Sequence, residues 1–269
     1  MGGKRIRLQA SFFWGEGSLL PPICYHLGVA EEAASRLRHP TVDQGLGSFY
    51  LGCTAPDIRF FIGTSREETH FFSLDSDDSV SGVSLLFETY PELRGDAKLN
   101  IATKSFVAGY LSHLVTDEAW ICRIYRPFFG KASSLGRSPV ANLFDRLLQF
   151  EIDRRERLSS ANISTIRKEL ADSTSGVAVS FIDELNLNRW SEFVFISTTR
   201  RPHWEDFRSF AENYLIGLRQ IGREPLEAFF ASFDARLQEV LEMVPEERLE
   251  EFHEQSVADT VRVVREYLG

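Results

Sequence analysis

Between residues 100 and 126 the chain is apolar on nearly every side, since Ile101, Phe106, Val107, Tyr110, Leu111, Leu114, Val115, Trp120, Ile121 and Ile124 leave hardly any polar face. A helix without a polar face does not lie on a surface; other elements have to wrap it. The segment therefore demands a bundle built around one central helix, and each polar side chain on that helix needs a partner. His113 and Asp117 are two such side chains, four residues apart and hence one turn from each other on the same face.

The rest of the chain reads as the wrapping. Leu27, Ala30, Ala33, Ala34 and Leu37 recur at helical spacing, which predicts a helix over 25–38 after the Pro21-Pro22 punctuation. Residues 39–47 read as a loop and 48–53 as a helical turn. That turn ends ahead of Pro56, which pushes its predecessor out of helical geometry and leaves Asp57 at a break in regular structure. The run Asp75-Ser76-Asp77-Asp78-Ser79 suits an exposed loop or a helix cap. Helices are predicted over 83–90, 140–158 and 164–173, whereas Phe193-Val194-Phe195-Ile196 fits either a strand or a helical turn. Three amphipathic helices follow, over 204–222, 225–244 and 245–268. The expected fold class is all-α, with residues 1–200 as a helical core and 201–269 as a helical C-terminal extension packed on the same domain. The apolar stripes at 226–244 and 249–268 serve either as core or as an oligomer face, and the oligomeric state stays open.

Thirty basic residues against 39 acidic ones give a net charge of −9. That balance repels polyanions and excludes a broad nucleic-acid surface, although it leaves room for a local phosphate site. With 43% hydrophobic residues the chain is a folded globular one. Cys24, Cys53 and Cys122 lie far apart in apolar stretches, which predicts three buried thiols and no disulfide framework. Lys4, Arg5 and Arg7 precede an apolar run from Leu8 to Trp14 that is too short for an export signal, and no run is long enough to span a membrane. The expected location is cytoplasmic.

The chemistry lies with a few histidines and aspartates. Two readings of the His113/Asp117 pair stand side by side: a buried imidazole satisfied by a carboxylate, or two ligands of one metal ion. Gly109, one turn earlier, removes a side chain where a second backbone or a metal shell can approach. Asp57 in Ala55-Pro56-Asp57-Ile58 and His70 in Thr69-His70-Phe71-Phe72 are also set among apolar residues. Together Asp57, His70, His113 and Asp117 would form a two-nitrogen, two-oxygen shell suited to zinc, and with less geometric strictness to manganese or iron.

Taken in order, His26 heading an alanine-rich helix, Leu51-Gly52-Cys53-Thr54-Ala55-Pro56-Asp57-Ile58, Thr69-His70-Phe71-Phe72 and Gly109-Tyr110-Leu111-Ser112-His113-Leu114-Val115-Thr116-Asp117-Glu118-Ala119-Trp120 resemble the zinc-dependent phospholipase C family, whose fold is shared with S1/P1-type nucleases. The resemblance covers roughly residues 23–126. It implies a multi-helix bundle in which Asp57, His70, His113 and Asp117 bind one zinc, with Asp57 also the general base toward the attacking water. It further implies that His26 serves a second ion bridged by Asp117. Secreted members of the family complete that second shell with the backbone of an N-terminal tryptophan. Trp14 stands twelve residues before His26 but lies inside the chain, so a second ion needs another ligand or is absent.

The sequence departs from the family at a third ion, held there by a His-x-x-x-Glu pair, because residues 127–202 contain no histidine. Asp145, Gln149 and Asp153 occupy the corresponding helix at four-residue spacing. They suit a harder ion or a polar pocket, or form a solvated face. His39, His203 and His253 are expected in a loop or at the surface. Phe60, Phe61, Phe71, Phe72 and Trp120 either line a substrate mouth or belong to the core. The function implied is metal-dependent hydrolysis of a small-molecule or lipid phosphate ester or diester; the alternative is a non-catalytic relative in which one ion staples a helical binding module. A phosphohydrolase of the HD type is disfavoured, because the adjacent His-Asp doublet is missing.

Overall fold

The structure, a computed structural model, describes residues 22–72, 81–95, 98–159, 163–212 and 221–269. Among them every extended element is a helix, and the only β-type pairing is an isolated bridge between Val179 and Ile182. In chain order the helices are α1 (Ile23–Leu37), α2 (Pro40–Gln44), α3 (Leu46–Gly52), α4 (Arg59–Ile62), α5 (Arg66–His70), α6 (Gly82–Thr89) and α7 (Ile101–Trp120). Then follow α8 (Pro139–Ser159), α9 (Ile163–Leu170), α10 (Glu184–Thr199), α11 (Trp204–Phe210), α12 (Arg223–Ala231), α13 (Phe233–Met243) and α14 (Glu246–Leu268).

Helix α7 is the central one the sequence demanded. Asn100 caps it, its side chain accepting from Thr103 N at 2.8 Å, and from Thr103 onward nearly every residue is buried. α3 lies on one side and α14 on another, and α14 also runs along α1. Two apolar clusters share this scaffold. One joins Leu27, Phe49, Leu51, Phe106, Leu111, Leu114 and Trp190; the other joins Val29, Trp120, Ile124, Phe144, Leu147, Phe207 and Phe252. His113 and Asp117 fall on α7 where its contribution passes from the first cluster to the second.

Several sequence expectations need correction. The predicted loop at 39–47 contains α2, begun by His39, whose Nδ1 accepts from Thr41 N at 3.2 Å, with Pro40 in the first turn where its missing N–H costs nothing. Of the two readings of 193–196 the helical one holds, within α10. The single helix expected over 225–244 is broken at Ser232 (φ −121°, ψ 33°) into α12 and α13. The long helix predicted over 100–126 turns into a π-helix over Ile121–Phe129, which contains Pro127 and closes with Gly130 N donating to Tyr125 O at 2.7 Å. Cys122 is partly exposed, whereas Cys24 and Cys53 are buried, and all three are free. The acidic run at 75–79, Trp14 and residues 213–220 of the helix predicted over 204–222 lie outside the described residues, and residues 221 and 222 are not helical. No helix among the described residues is long and apolar enough to cross a membrane.

Candidate metal centre

Each candidate ligand is placed by its own local chemistry. Asp57 sits in a 3-10 turn, Ala55–Ile58, opened by Thr54. Thr54 is pinned from two sides: its hydroxyl donates to Leu51 O at 2.9 Å and accepts from Trp190 Nε1 of α10 at 3.0 Å. His70 ends α5, a short helix started by a capping box at Ser65 and Glu68 and stopped by Phe71 in the left-handed region (φ 58°). Tyr110 of α7 fastens this turn by donating to Thr69 O at 2.5 Å. His113 and Asp117 come from α7, and His26 comes from α1.

The tautomer of His113 follows from its partner: Nδ1 lies 2.9 Å from the Cys53 carbonyl oxygen, which can only accept, so Nδ1 carries the proton and Nε2 is a bare lone pair. His70 Nδ1 lies 2.9 Å from Thr69 Oγ1, a hydroxyl that also reaches Arg66 O at 3.4 Å. The Nε2 atoms of the two imidazoles face each other at 3.2 Å, a spacing that suits either a hydrogen bond between them or two ligands of one cation.

The carboxylates complete the shell. His70 Nε2 is 3.6 Å from Asp57 Oδ1 and 3.4 Å from Asp117 Oδ2, and His113 Nε2 is 3.8 Å from that Asp117 oxygen. Ligands bound tetrahedrally at about 2.0–2.1 Å are spaced about 3.3 Å apart; the spacings around His70 Nε2 lie within a few tenths of an ångström of that, and Asp57, His70 and His113 form a three-residue group able to hold a metal ion. Protonation favours it as well. Burial drives the His113 imidazole down to about 3, with neighbouring His26 adding to the effect, and burial with the charge of Arg66 lowers His70. Burial alone would raise Asp57, but the adjoining His70 side chain and, after it, His113 outweigh it and hold it at about 2. The same contest at Asp117, with the Arg66 guanidinium first among the opposing charges, leaves that carboxyl well below its usual range. At neutral pH the set is two neutral imidazoles and two carboxylates, all in ligand form.

His26 joins from the other side. Its ring stacks on His113 at 4.0 Å between centroids, and its Nε2 is 3.5 Å from Asp117 Oδ1. His26, His113 and Asp117 form a second three-residue group able to hold an ion, but it shares His113 with the first. Because His113 has one lone pair, only one of the two groups can use it. A second ion is left with His26 and one Asp117 oxygen among the described residues.

The outer helix divides the remaining candidates. Asp145 is buried and takes hydrogen bonds from Trp120 Nε1 and Gln149 Nε2, each at 2.9 Å; with Gln149 it lines a cavity that His26 and Asp117 also line. They form a polar pocket wall, and Asp145 in particular is not a solvated face. Asp153 is elsewhere: it accepts from Cys24 N at 2.6 Å and Tyr25 N at 3.0 Å, capping α1 from α8, and pairs with Arg157 at 2.7 Å. It is a structural anion outside the cavity. Of the aromatic candidates only Trp120 lines the cavity, joined by Ile121 and Tyr125 of the π-helix; Phe61 packs on Trp190 and Phe71 on Tyr90. His203 is exposed. His253 is half-buried rather than at the surface, bound to Glu32 at 2.9 Å and Tyr25 at 3.3 Å.

Sequence reasoning missed the arginines. Arg66 pairs with Asp117 Oδ2 at 2.6 Å, and Arg59, Arg137 and Arg146 line the same cavity. For Arg66 a signal existed: it stands four residues before His70 in α5, the spacing that puts two side chains on one helical face. For the other three there was none. No family model, curated protein or solved structure matches this chain.

Proposed function

We propose that the chain is a metal-dependent hydrolase of phosphate esters or diesters, with the bundle architecture of the zinc-dependent phospholipase C and S1/P1-type nuclease group, and that zinc is its ion. The observation that carries this reading is the convergence of His70 Nε2 and His113 Nε2, 3.2 Å apart and flanked by the carboxylates of Asp57 and Asp117. The mixed imidazole and carboxylate donors are those zinc takes; manganese and iron fit them less strictly.

When bound, such an ion supplies Lewis acidity toward a phosphoryl oxygen and makes water acidic enough to lose a proton near neutral pH. The chain's own residues do the rest. Asp57, ionised and fixed through Thr54 and Trp190, accepts the proton of the attacking water on its carboxylate. Asp117 holds the cluster together through both oxygens, one toward His26 and one toward His70 and His113. Arg66, beside Asp117 and on the cavity wall, places a fixed positive charge where charge builds on the phosphoryl group. Trp120 and Phe252 wall the cavity with apolar surface and limit water.

One observation favours a second reading. Asp57, His70 and His113 form a wholly buried group, and none of the three lines the cavity; an ion held there alone would staple α7 to the Asp57 turn and to α5 without chemistry. Metal analysis by mass spectrometry on protein purified without added zinc decides the first question, and fewer than one ion per chain refutes the enzyme. With metal present, turnover of p-nitrophenyl phosphorylcholine or bis-p-nitrophenyl phosphate is expected, and turnover of neither favours the staple. Asp57→Asn should abolish turnover while retaining most of the metal.

A further inference from the structure

The cavity beside the cluster has a volume of about 260 Å³, room for a phosphoryl group and a small substituent. Thr116, Asp117 and Trp120 of α7 line it. The steps of three and four residues that separate Trp120 from the other two put all three on one helical face, the face that also carries His113. Asp117 is engaged through both oxygens, by His26 on one and by His70, His113 and Arg66 on the other, and Trp120 donates to Asp145 at 2.9 Å. Thr116 has no such task in the cluster.

Its hydroxyl is nevertheless held apart from every ordinary partner. In a helix a serine or threonine hydroxyl commonly returns to the carbonyl four residues back, and Thr89, Ser197 and Ser256 do so here at 2.7, 2.9 and 2.8 Å. Thr116 does not: the residue is 2% exposed, and its Oγ1 has no hydrogen-bond partner among the described residues. Arg66 Nε is buried and unpartnered in the same way. The Arg66 guanidinium already gives Nη2 to Asp117 Oδ2 at 2.6 Å. In that planar group the Nε–H runs alongside an Nη2–H, so its acceptor has to stand beside the Asp117 carboxylate. Thr116 precedes Asp117 in the chain, Arg66 is bonded to it, and both line the cavity. Buried polar groups are rarely left empty, and the cavity is where an acceptor with several oxygens can reach these two.

We propose that Thr116 is a substrate-binding residue, its hydroxyl donating to an oxygen of a phosphoryl group seated at the Asp117 edge of the cluster, where Arg66 Nε donates as well. The ligand is the phosphate or phosphonate of a small molecule, a tetrahedral anion whose several acceptor oxygens suit two donors at once. The inference rests on the phosphohydrolase reading above and adds to it the hydroxyl that orients the phosphoryl group. Free phosphate presents the same oxygens and takes the same seat.

The test titrates the zinc-loaded full chain calorimetrically with inorganic phosphate. Thr116→Val keeps the shape of the side chain and deletes the hydroxyl, and it should weaken phosphate binding about tenfold or more, the loss that goes with a hydrogen bond to a charged group. Thr116→Ser, which keeps the hydroxyl, should restore the wild-type affinity. Because the hydroxyl has no partner within the protein, Thr116→Val should also keep its zinc and melt no lower than the wild type; a structural role predicts the reverse, a lower Tm with phosphate affinity kept. No phosphate binding by the wild type, or equal affinity in the wild type and Thr116→Val, overturns the proposal. Failure of the parent reading shows elsewhere, as fewer than one zinc per chain in the protein as purified, or as turnover of neither ester while phosphate still binds through Thr116.

Discussion

Gly109→Ala is the sharpest test of how this centre is assembled. Gly109 lies on the face of α7 that meets α3, and an added Cβ would stand 2.9 Å from both Cys53 N and the Phe49 carbonyl carbon, closer still to the Phe49 oxygen. Ordinary contact begins at 3.4 Å, so the helices would have to part by about 1 Å, and the obstructing atoms are backbone that cannot swing aside. Gly52 makes the matching notch from α3 against the Phe106 carbonyl. Overpacking of this kind costs about 3 kcal/mol at the upper end, and the better helix propensity of alanine returns about 1 kcal/mol. A net loss of about 2 kcal/mol corresponds to a fall in Tm of roughly 4–8 °C for a domain of this size.

The same separation reaches the ligands. The His113 Nδ1 bond to the Cys53 carbonyl, 2.9 Å long, spans these two helices, and stretching it by about 1 Å breaks it and frees the imidazole to turn. Loss of an outer hydrogen bond to a metal-bound histidine weakens metal binding by about 10–100-fold. Urea denaturation of the metal-stripped variant measures the first effect, and zinc competition with a chromophoric chelator the second. Wild-type stability together with wild-type zinc affinity in Gly109→Ala would refute both the close helix contact and its role in setting the centre.

Other outcomes follow from the same geometry. Asp153→Ala should cost about 3 kcal/mol, since it uncaps α1 at Cys24 N and Tyr25 N and leaves Arg157 without its carboxylate; zinc stoichiometry should hold, and a stable variant that had lost zinc would return Asp153 to the metal site. Glu156 lies across Gly28 of α1, and burial raises its carboxyl above the ordinary value, with Asp153 and other acids adding to the effect of burial and His253 opposing it. A carboxyl raised on folding contributes stability below its unfolded pKa and loses it as pH rises through the folded value. Glu156→Gln should therefore have a higher Tm than the wild type at pH 7, the gap closing as pH falls toward 4; a gap that widens on acidification would contradict the burial argument.

Much of the scaffold was legible because helical order is local. The i, i+3, i+4 spacing in α1, α8 and α14 and the all-round apolar character of α7 follow from residues within a few turns of one another, and so does the four-residue step from His113 to Asp117. What failed was also local, but finer. The break at Ser232 needs no proline or glycine, only a single residue at φ −121°, and nothing in the apolar stripe through Phe229, Phe233 and Leu237 announces it. The π-helix after Trp120 continues α7 with a wider turn and with Arg123 and Arg126 among its apolar residues, and it brings Ile121 and Tyr125 to the cavity.

The sequence by itself determined the fold class, the central helix and the residues eligible to bind a metal, because residue type and periodicity are properties of short stretches. Only the tertiary structure decided which of them work together. Whether Asp145 and Asp153 share a site depends on the packing of α8 against α1, and it assigned one to the cavity and the other to a helix cap. Whether Gly109 admits a backbone or a metal shell depends on α3, and the neighbour is Phe49 and Cys53. The single usable lone pair of His113 is fixed by a carbonyl sixty residues away in sequence, and the arginines of the cavity come from two distant stretches, 59–66 and 137–146. Distances between segments are set by how helices stack, and no local pattern encodes them.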